Sequence, residues 1–210
     1  MPAAPALAAD VLDRLKTETR AEHAAMEDAL GLMRDDLSLA DYRCLLERYF
    51  AFYAPIEAQL AGVLPAAHLG LDFETRRKLP LLRADLQVLG GRAADTLAPC
   101  DALPPLCTPA QAVGCLYVLE GATLGGQVIG RHVLRTLGLT PATGARYFHG
   151  SGALTAELWR GFRAALAGFA THPDTADAVV ESANETFRSL RHWCLGGRAP
   201  ANPPGRANGP

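Results

Sequence analysis

The sequence lacks the features that mark several large classes of protein. It has no block of lysine and arginine, and its 20 basic residues are balanced by 22 acidic ones. We therefore expect no nucleic-acid partner and no anionic membrane surface as its main target. No apolar run reaches the roughly 18 residues of a membrane span. No basic residue precedes the apolar part of the N-terminus, as a signal peptide would require. These absences predict a cytoplasmic protein.

Cysteine is also scarce. The five cysteines are odd in number and no two have CxxC spacing, which argues against a disulfide framework and against a thiolate zinc site. The chain is 49% hydrophobic and 20% charged, a composition typical of globular proteins. Its 210 residues suit one domain. We expect a flexible N-terminus over residues 1–9, a folded domain over 10–195 and a disordered tail over 196–210.

Helix signals recur along the chain, and no segment has the alternation of a β-strand. The predicted helices span residues 12–30, 42–60, 75–89, 109–137, 155–169 and 173–193. Pro55 lies inside the second and is expected to kink it or end it early. Thr108, Pro109 and Gln111 form a clean start for the fourth. The sequence predicts a compact, single-domain all-α fold of about six or seven helices.

A histidine lies on the apolar stripe of the first predicted helix. His23 is followed one helical turn later by Glu27. A histidine that binds iron through Nε2 needs a partner for Nδ1–H, and an acidic group four residues away can be that partner. Lys16 lies two turns earlier on nearly the same side. The alternative interpretation is a core histidine satisfied by an internal hydrogen bond.

Three glycines fall within six residues of the fourth predicted helix. Gly121, Gly125 and Gly126 together cost the helix about 2 kcal/mol relative to alanine. One explanation is a bulky flat ligand that lies against the backbone where a Cβ would collide with it. The alternative is a close helix–helix crossing or a simple kink. A phosphate loop is excluded, because there is no GxxxxGK[ST] motif.

Two segments resemble parts of a known family. LKTETRAEH, residues 15–23, is similar to the proximal helix of haem oxygenases. LYVLEGATLGGQ, residues 116–127, resembles their distal helix, particularly in bacterial members that accompany bacteriophytochromes. The stretches around Trp159 and around residues 183–187 are also similar, so the likeness spans residues 12 to 195.

The resemblance implies a haem-oxygenase-like helical fold with haem between a proximal helix and a glycine-kinked distal helix. The implied reaction is cleavage of haem b, which is both substrate and cofactor, to biliverdin, carbon monoxide and ferrous iron. It consumes O2 and takes electrons from an external donor such as a ferredoxin or a reductase. The expected partners are haem, that donor protein and a bacteriophytochrome that would accept biliverdin. The family usually opens the ring at the α-meso carbon.

The resemblance also implies roles for individual residues. His23 would be the axial ligand of the haem iron, with Glu27 as its hydrogen-bonding partner. Gly121 and Gly125 would be the catalytic pair, packed on the distal haem face where they admit dioxygen. Lys16 would pair with a haem propionate. Further contacts to haem would come from Tyr117, Gly126, Arg160 and Phe187, with Arg131 as another candidate for the propionates.

The likeness has one departure. Ala122 stands where mammalian-type members carry an aspartate that anchors the distal water network. Proton delivery would then need backbone carbonyls, ordered waters, Thr123 or Arg131.

Two other functions remain open from the sequence. A haem-storage protein would hold haem through His23 without degrading it. A thiaminase-like enzyme on the same fold would need a nucleophilic cysteine, for which Cys115 is best placed. A di-iron enzyme is disfavoured, because no histidine has an acidic residue three positions before it.

Overall fold

The computed structural model describes residues 4–91 and 93–196, and over those residues it is helical with no strand. The all-α prediction is confirmed. The eight α-helices of the described residues are α1 (Ala4–Glu18), α2 (Arg20–Leu30), α3 (Leu39–Val63), α4 (Leu79–Val88), α5 (Pro109–Leu137), α6 (Arg146–His149), α7 (Thr155–Phe169) and α8 (Pro173–Cys194).

The ends of the chain are described only in part. Helix α1 starts at Ala4, so helical backbone begins earlier than position 10, where we predicted the folded domain to start. The predicted tail lies outside the described residues except for Gly196. The domain boundaries therefore stay predictions.

The first predicted helix is two helices. The continuous stripe from Leu12 to Leu30 is interrupted at Thr19, which separates α1 from α2. The Thr19 hydroxyl donates to the carbonyl of Leu15 at 2.6 Å, and the His23 amide donates to the Thr19 carbonyl at 2.9 Å. A threonine that bonds back to the preceding turn bends a helix. The hydrogen bonds thus continue across the break between α1 and α2, just before His23.

Pro55 does not end the helix early, since α3 runs on through it to Val63. A proline inside a helix leaves the carbonyl four residues earlier without its N–H donor. Here that carbonyl belongs to Ala51, and the amide of Cys100 donates to it at 2.9 Å. The connection between α4 and α5 thus supplies the missing hydrogen bond, which the local sequence cannot reveal.

The third predicted helix is shorter than expected. Helix α4 begins at Leu79 and not at Thr75, and a 3₁₀ turn occupies residues Glu74–Arg76. Its first amides are capped from another helix: the carboxylate of Glu57 accepts the amides of Lys78 at 2.6 Å and Leu79 at 3.1 Å. A tertiary contact therefore decides where α4 starts.

Helix α5 matches its prediction and forms the centre of the fold. Thr108 and Gln111 make the expected capping box. At Gly114 an added Cβ would collide with the carbonyl oxygen of Val179 on α8, so the two helices cross at backbone contact. Helix α5 is long and apolar enough to cross a membrane, but 56% of its most apolar stretch is buried inside the fold. That burial is typical of a core helix.

The C-terminal helices α7 and α8 are confirmed close to their predicted limits. The one-turn helix α6 was not predicted. Its first two amides, of Arg146 and Tyr147, donate to the buried carboxylate of Asp85 at 2.8 and 2.7 Å. Two hydrogen bonds to a charged acceptor fix this short helix against α4.

Candidate functional site

A cavity of about 660 Å³ lies between α2 and α5, within the size range of pockets that hold cofactors. Side chains from α1, α3, α6, α7 and α8 complete its lining, together with Thr19 before α2 and Leu32 and Met33 after it. A smaller cavity of about 370 Å³ near residues 64–74 contains none of the predicted site residues. The cavity between α2 and α5 brings together seven of them: Lys16, His23, Glu27, Tyr117, Gly121, Gly125 and Phe187.

His23 projects into this cavity from α2. Its side chain is 55% exposed, and its ring meets the ring of Phe187 edge-on at 5.5 Å between centroids. The Nδ1 atom is 3.6 Å from a carboxylate oxygen of Glu27, slightly beyond hydrogen-bond distance. No described residue is hydrogen-bonded to Nε2. A small rotation of Glu27 would close the Nδ1 contact, which fixes the tautomer that leaves Nε2 free to bind a metal.

The wall contributed by α5 is apolar, and at its two glycines no side chain covers the backbone. A Cβ added at Gly125 would meet nothing within 4 Å, and one at Gly121 would meet only Trp159, at 3.9 Å. Beside these glycines, Leu124 is 39% and Val128 50% exposed. Exposed apolar side chains that line one concave surface mark a ligand site.

Two predicted site residues lie elsewhere. Gly126 does not line the cavity: it is buried against α6, and an added Cβ would lie 2.8 Å from the carbonyl oxygen of Phe148. The third glycine therefore serves the close packing that was the alternative interpretation. Arg160 is exposed on α7 and also does not line the cavity. On a helix, adjacent residues project about 100° apart, so neighbours in sequence serve different surfaces.

The mouth of the cavity carries cationic side chains. Lys16 and Arg20 line it, both exposed, together with the half-buried Tyr117. Burial raises the pKa of Tyr117, partly offset by a hydrogen bond with Thr19, so its phenol stays protonated as a donor at neutral pH. Arg20 was missed by the sequence analysis. Its position one turn before His23 was the available signal.

The inner end of the cavity is lined by tyrosines that the sequence analysis did not assign to the site. Tyr49 and Tyr53 come from α3 and Tyr147 from α6. The hydroxyls of Tyr53 and Tyr147 are 2.8 Å apart. The signal for Tyr49 and Tyr53 was their position on the apolar, buried face of the helix predicted over residues 42–60. No sequence signal pointed to Tyr147, because it lies in a segment for which no helix or strand was predicted.

Ion pairs hold both helices that flank the cavity. On α2, Glu22 pairs with Arg191 of α8 at 3.1 Å. On α5, the buried Glu120 pairs with Arg76 at 2.6 Å and with Lys78 at 3.4 Å. Glu120 immediately precedes Gly121, so this buried triad fixes the glycine-bared part of α5.

Cys115 has no part in the cavity. Its side chain is fully buried, and burial raises the pKa of its thiol to about 12, despite a hydrogen bond with Thr186. A thiol in such surroundings is not a nucleophile at neutral pH, which removes the support for the thiaminase-like alternative. Among residues 4–91 and 93–196, no three His, Cys, Asp or Glu side chains are grouped to hold a metal ion.

Two sequence comparisons with known proteins find the same family. The family model described as heme oxygenase matches residues 9–195. A heme oxygenase of Xanthomonas campestris pv. campestris is 33% identical over 174 residues, which is 83% of this chain and 99% of that relative.

Solved structures share the fold. The heme oxygenase of Neisseria meningitidis has a TM-score of 0.76 at 22% identity, over 93% of this chain and 97% of that one. The heme oxygenase of Leptospira interrogans has a TM-score of 0.75 at 18% identity, over 89% and 98% of the two chains. With a family model over nearly the whole described chain and a relative above 30% identity, the chain belongs to the haem oxygenase family.

Proposed function

We propose that this chain binds haem in the cavity between α2 and α5, with His23 on the iron, and opens the ring to biliverdin, carbon monoxide and ferrous iron. The observation that carries the proposal is the convergence of His23 and the glycine-bared stretch of α5 on one cavity. Either feature alone has an ordinary structural explanation. Together they form a site for a planar, metal-containing molecule.

The cavity fits such a molecule in size and chemistry. Its volume of about 660 Å³ and its apolar, partly exposed side chains suit a large apolar ring. The Nε2 of His23 is available as a ligand. Lys16 and Arg20 at the mouth suit the two carboxylates that haem carries at one edge. The sequence predicted Lys16 for this task, and Arg20 joins it in place of Arg160.

Each residue has a defined task in the proposed reaction. When bound, haem supplies the iron that activates dioxygen and the ring carbon that is oxidised. His23 would hold the iron through Nε2, with Glu27 accepting its Nδ1–H and fixing its tautomer. Gly121 and Gly125 leave room beside the backbone of α5 for a small gas molecule. Leu124 and Val128 exclude bulk water from the reacting edge.

The proposed partners are an electron-donor protein and a bacteriophytochrome that would accept the product, in the cytoplasm. The support for the phytochrome is the similarity of residues 116–127 to members that accompany such proteins. The test is chromophore loading of a phytochrome apoprotein in the presence of this enzyme and haem. Loading no faster than with free biliverdin at the same concentration would exclude direct delivery.

The first test of the function is a titration of the purified protein with haemin, followed by ascorbate under air. We expect a Soret band that saturates at one haem per chain and is then replaced by the red absorption of biliverdin. His23→Ala should lose the band, and added imidazole should restore it. His172→Ala is the matched control, because His172 is an exposed histidine that does not line the cavity. Saturable binding without ring opening would instead support the haem-storage function.

A further inference from the structure

The α2–α3 connection, residues 31–38, contributes to the lining of the cavity. It begins where α2 ends, and its Leu32 and Met33 line the cavity. On α5, Val128 and Ile129 line the same cavity. Any contact that joins the connection to α5 therefore affects how readily the cavity opens between these two elements.

A buried histidine of α5 makes such a contact. His132 is 3% exposed, and its Nε2 lies 3.0 Å from the carbonyl oxygen of Arg34, the residue that follows Met33. Val128 and Ile129 are four and three residues before His132, so they are its neighbours on the surface of the helix. The hydrogen bond between His132 and Arg34 thus lies next to cavity-lining residues through both of its partners.

The neighbours of the His132 ring fix its tautomer. The guanidinium of Arg135 lies 2.9 Å from Nδ1 of His132, and an arginine side chain can only donate. Nδ1 is therefore the acceptor and Nε2 carries the proton, which it donates to the carbonyl of Arg34. The hydroxyl of Thr136, 3.4 Å from Nε2, is a more distant second acceptor. His132 is thus a neutral donor directed at the backbone of the α2–α3 connection.

A second polar contact between the connection and α5 is exposed to solvent. Arg135 pairs with Asp35 at 3.2 Å, but the two side chains are 70% and 92% exposed. Exposed ion pairs contribute little to stability, whereas a buried carbonyl that loses its donor is left unsatisfied. We therefore expect the histidine to hold the connection more firmly than the ion pair does.

We propose that His132 is a positioning residue that holds the α2–α3 connection against α5 and so slows the escape of the ligand from the cavity. The inference rests on the proposed haem site, since haem is the ligand that would be retained. A hydrogen bond that must break before two elements separate lowers the rate at which a ligand between them dissociates. His132 does not itself line the cavity, so its effect passes through Leu32 and Met33.

The test replaces His132 by side chains that keep or remove the donor to Arg34. The amide nitrogen of glutamine reaches the position of Nε2, whereas the shorter asparagine reaches only that of Nδ1. We expect His132→Gln to lose ferric haem to excess apomyoglobin at a rate within about threefold of the parent. His132→Asn should lose it at least about tenfold faster. His132→Leu, which also removes the donor, should match His132→Asn and decides the question if the asparagine variant does not fold.

A second measurement needs no haem. Amide hydrogen exchange over residues 32–37 of the unliganded protein should be faster in His132→Asn than in the parent, and unchanged in His132→Gln. A general loss of stability would instead speed exchange throughout the chain. Exchange in His132→Asn that is unchanged over residues 32–37, or faster everywhere alike, would contradict the proposed role.

Tyr42→Phe is the matched control. It also removes one buried donor to a backbone carbonyl, since the hydroxyl of Tyr42 donates to the carbonyl of Gly144 at 3.0 Å. Tyr42 does not line the cavity and makes no contact of this kind with the α2–α3 connection. We expect this variant to lose haem at the rate of the parent.

Equal rates of haem loss in the parent, His132→Asn and His132→Leu would overturn the proposal. So would a rate in Tyr42→Phe or in His132→Gln that is raised as much as in His132→Asn. Failure of the haem site itself is a different result, because the parent would then not bind haem stoichiometrically, while the exchange measurement would still report on the contact.

Discussion

Replacing Gly125 and Gly126 by alanine, one at a time, should change the stability of the unliganded protein in opposite directions. Both glycines lie in the middle of α5, where alanine is the better helix former by about 0.5–1 kcal/mol. At Gly125 a Cβ meets nothing within 4 Å, so Gly125→Ala should gain that amount. The melting temperature should rise by about 1–4 °C for a chain of this size.

Gly126→Ala faces a different environment. Its Cβ would lie 2.8 Å from the carbonyl oxygen of Phe148, a backbone atom of the short helix α6. Because Asp85 anchors the amides at the start of α6, the backbone there cannot move away freely. Overpacking of this kind costs about 1–3 kcal/mol. After the helix-propensity gain is subtracted, we expect a net loss of about 1 kcal/mol and at most about 2.5 kcal/mol.

The assay is urea denaturation of both unliganded variants beside the parent, followed by haemin titration and ring opening with ascorbate. Gly125→Ala should be more stable and yet open haem about tenfold to a hundredfold more slowly, because its methyl group enters the ligand's space. A Gly125→Ala protein that is less stable than the parent would refute the structural reasoning. One that is more stable and equally active would show that the small size of Gly125 is not needed for the ligand.

Three further predictions concern the rest of the site. Glu120→Ala leaves two buried cations without their carboxylate and should lower the free energy of unfolding by about 3–5 kcal/mol, measured in urea. Lys16→Ala should raise the haem dissociation constant about tenfold, whereas Arg160→Ala, outside the cavity, should leave it unchanged; equal effects would contradict the proposed propionate contact. Iodoacetamide at pH 8 should label the exposed Cys44 within the time in which Cys115, whose thiol pKa is about 12, remains unmodified in mass spectra. Rapid labelling of Cys115 in the folded protein would mean that it is accessible.

Local sequence patterns predicted most of the helices. The capping box at Thr108 starts α5 where it was predicted to start, because capping involves backbone groups only a few residues apart. The proximity of His23 and Glu27 could be predicted for the same reason, since residues four apart on a helix are neighbours. The resemblance of residues 15–23 and 116–127 to haem oxygenases indicated the family.

Only the tertiary structure decided what each helix face meets. The continuation of α3 past Pro55 depends on the amide of Cys100, which donates to the carbonyl of Ala51 and is distant in sequence. Which glycine faces the cavity and which faces α6 depended on how α5 is rotated in the packed fold. The meeting of Tyr147 with Tyr53 joins residues 94 positions apart. Hydrogen bonds within one helix are set by the chain itself, whereas contacts between helices exist only after the core has packed, and the sequence alone carries no local signal of them.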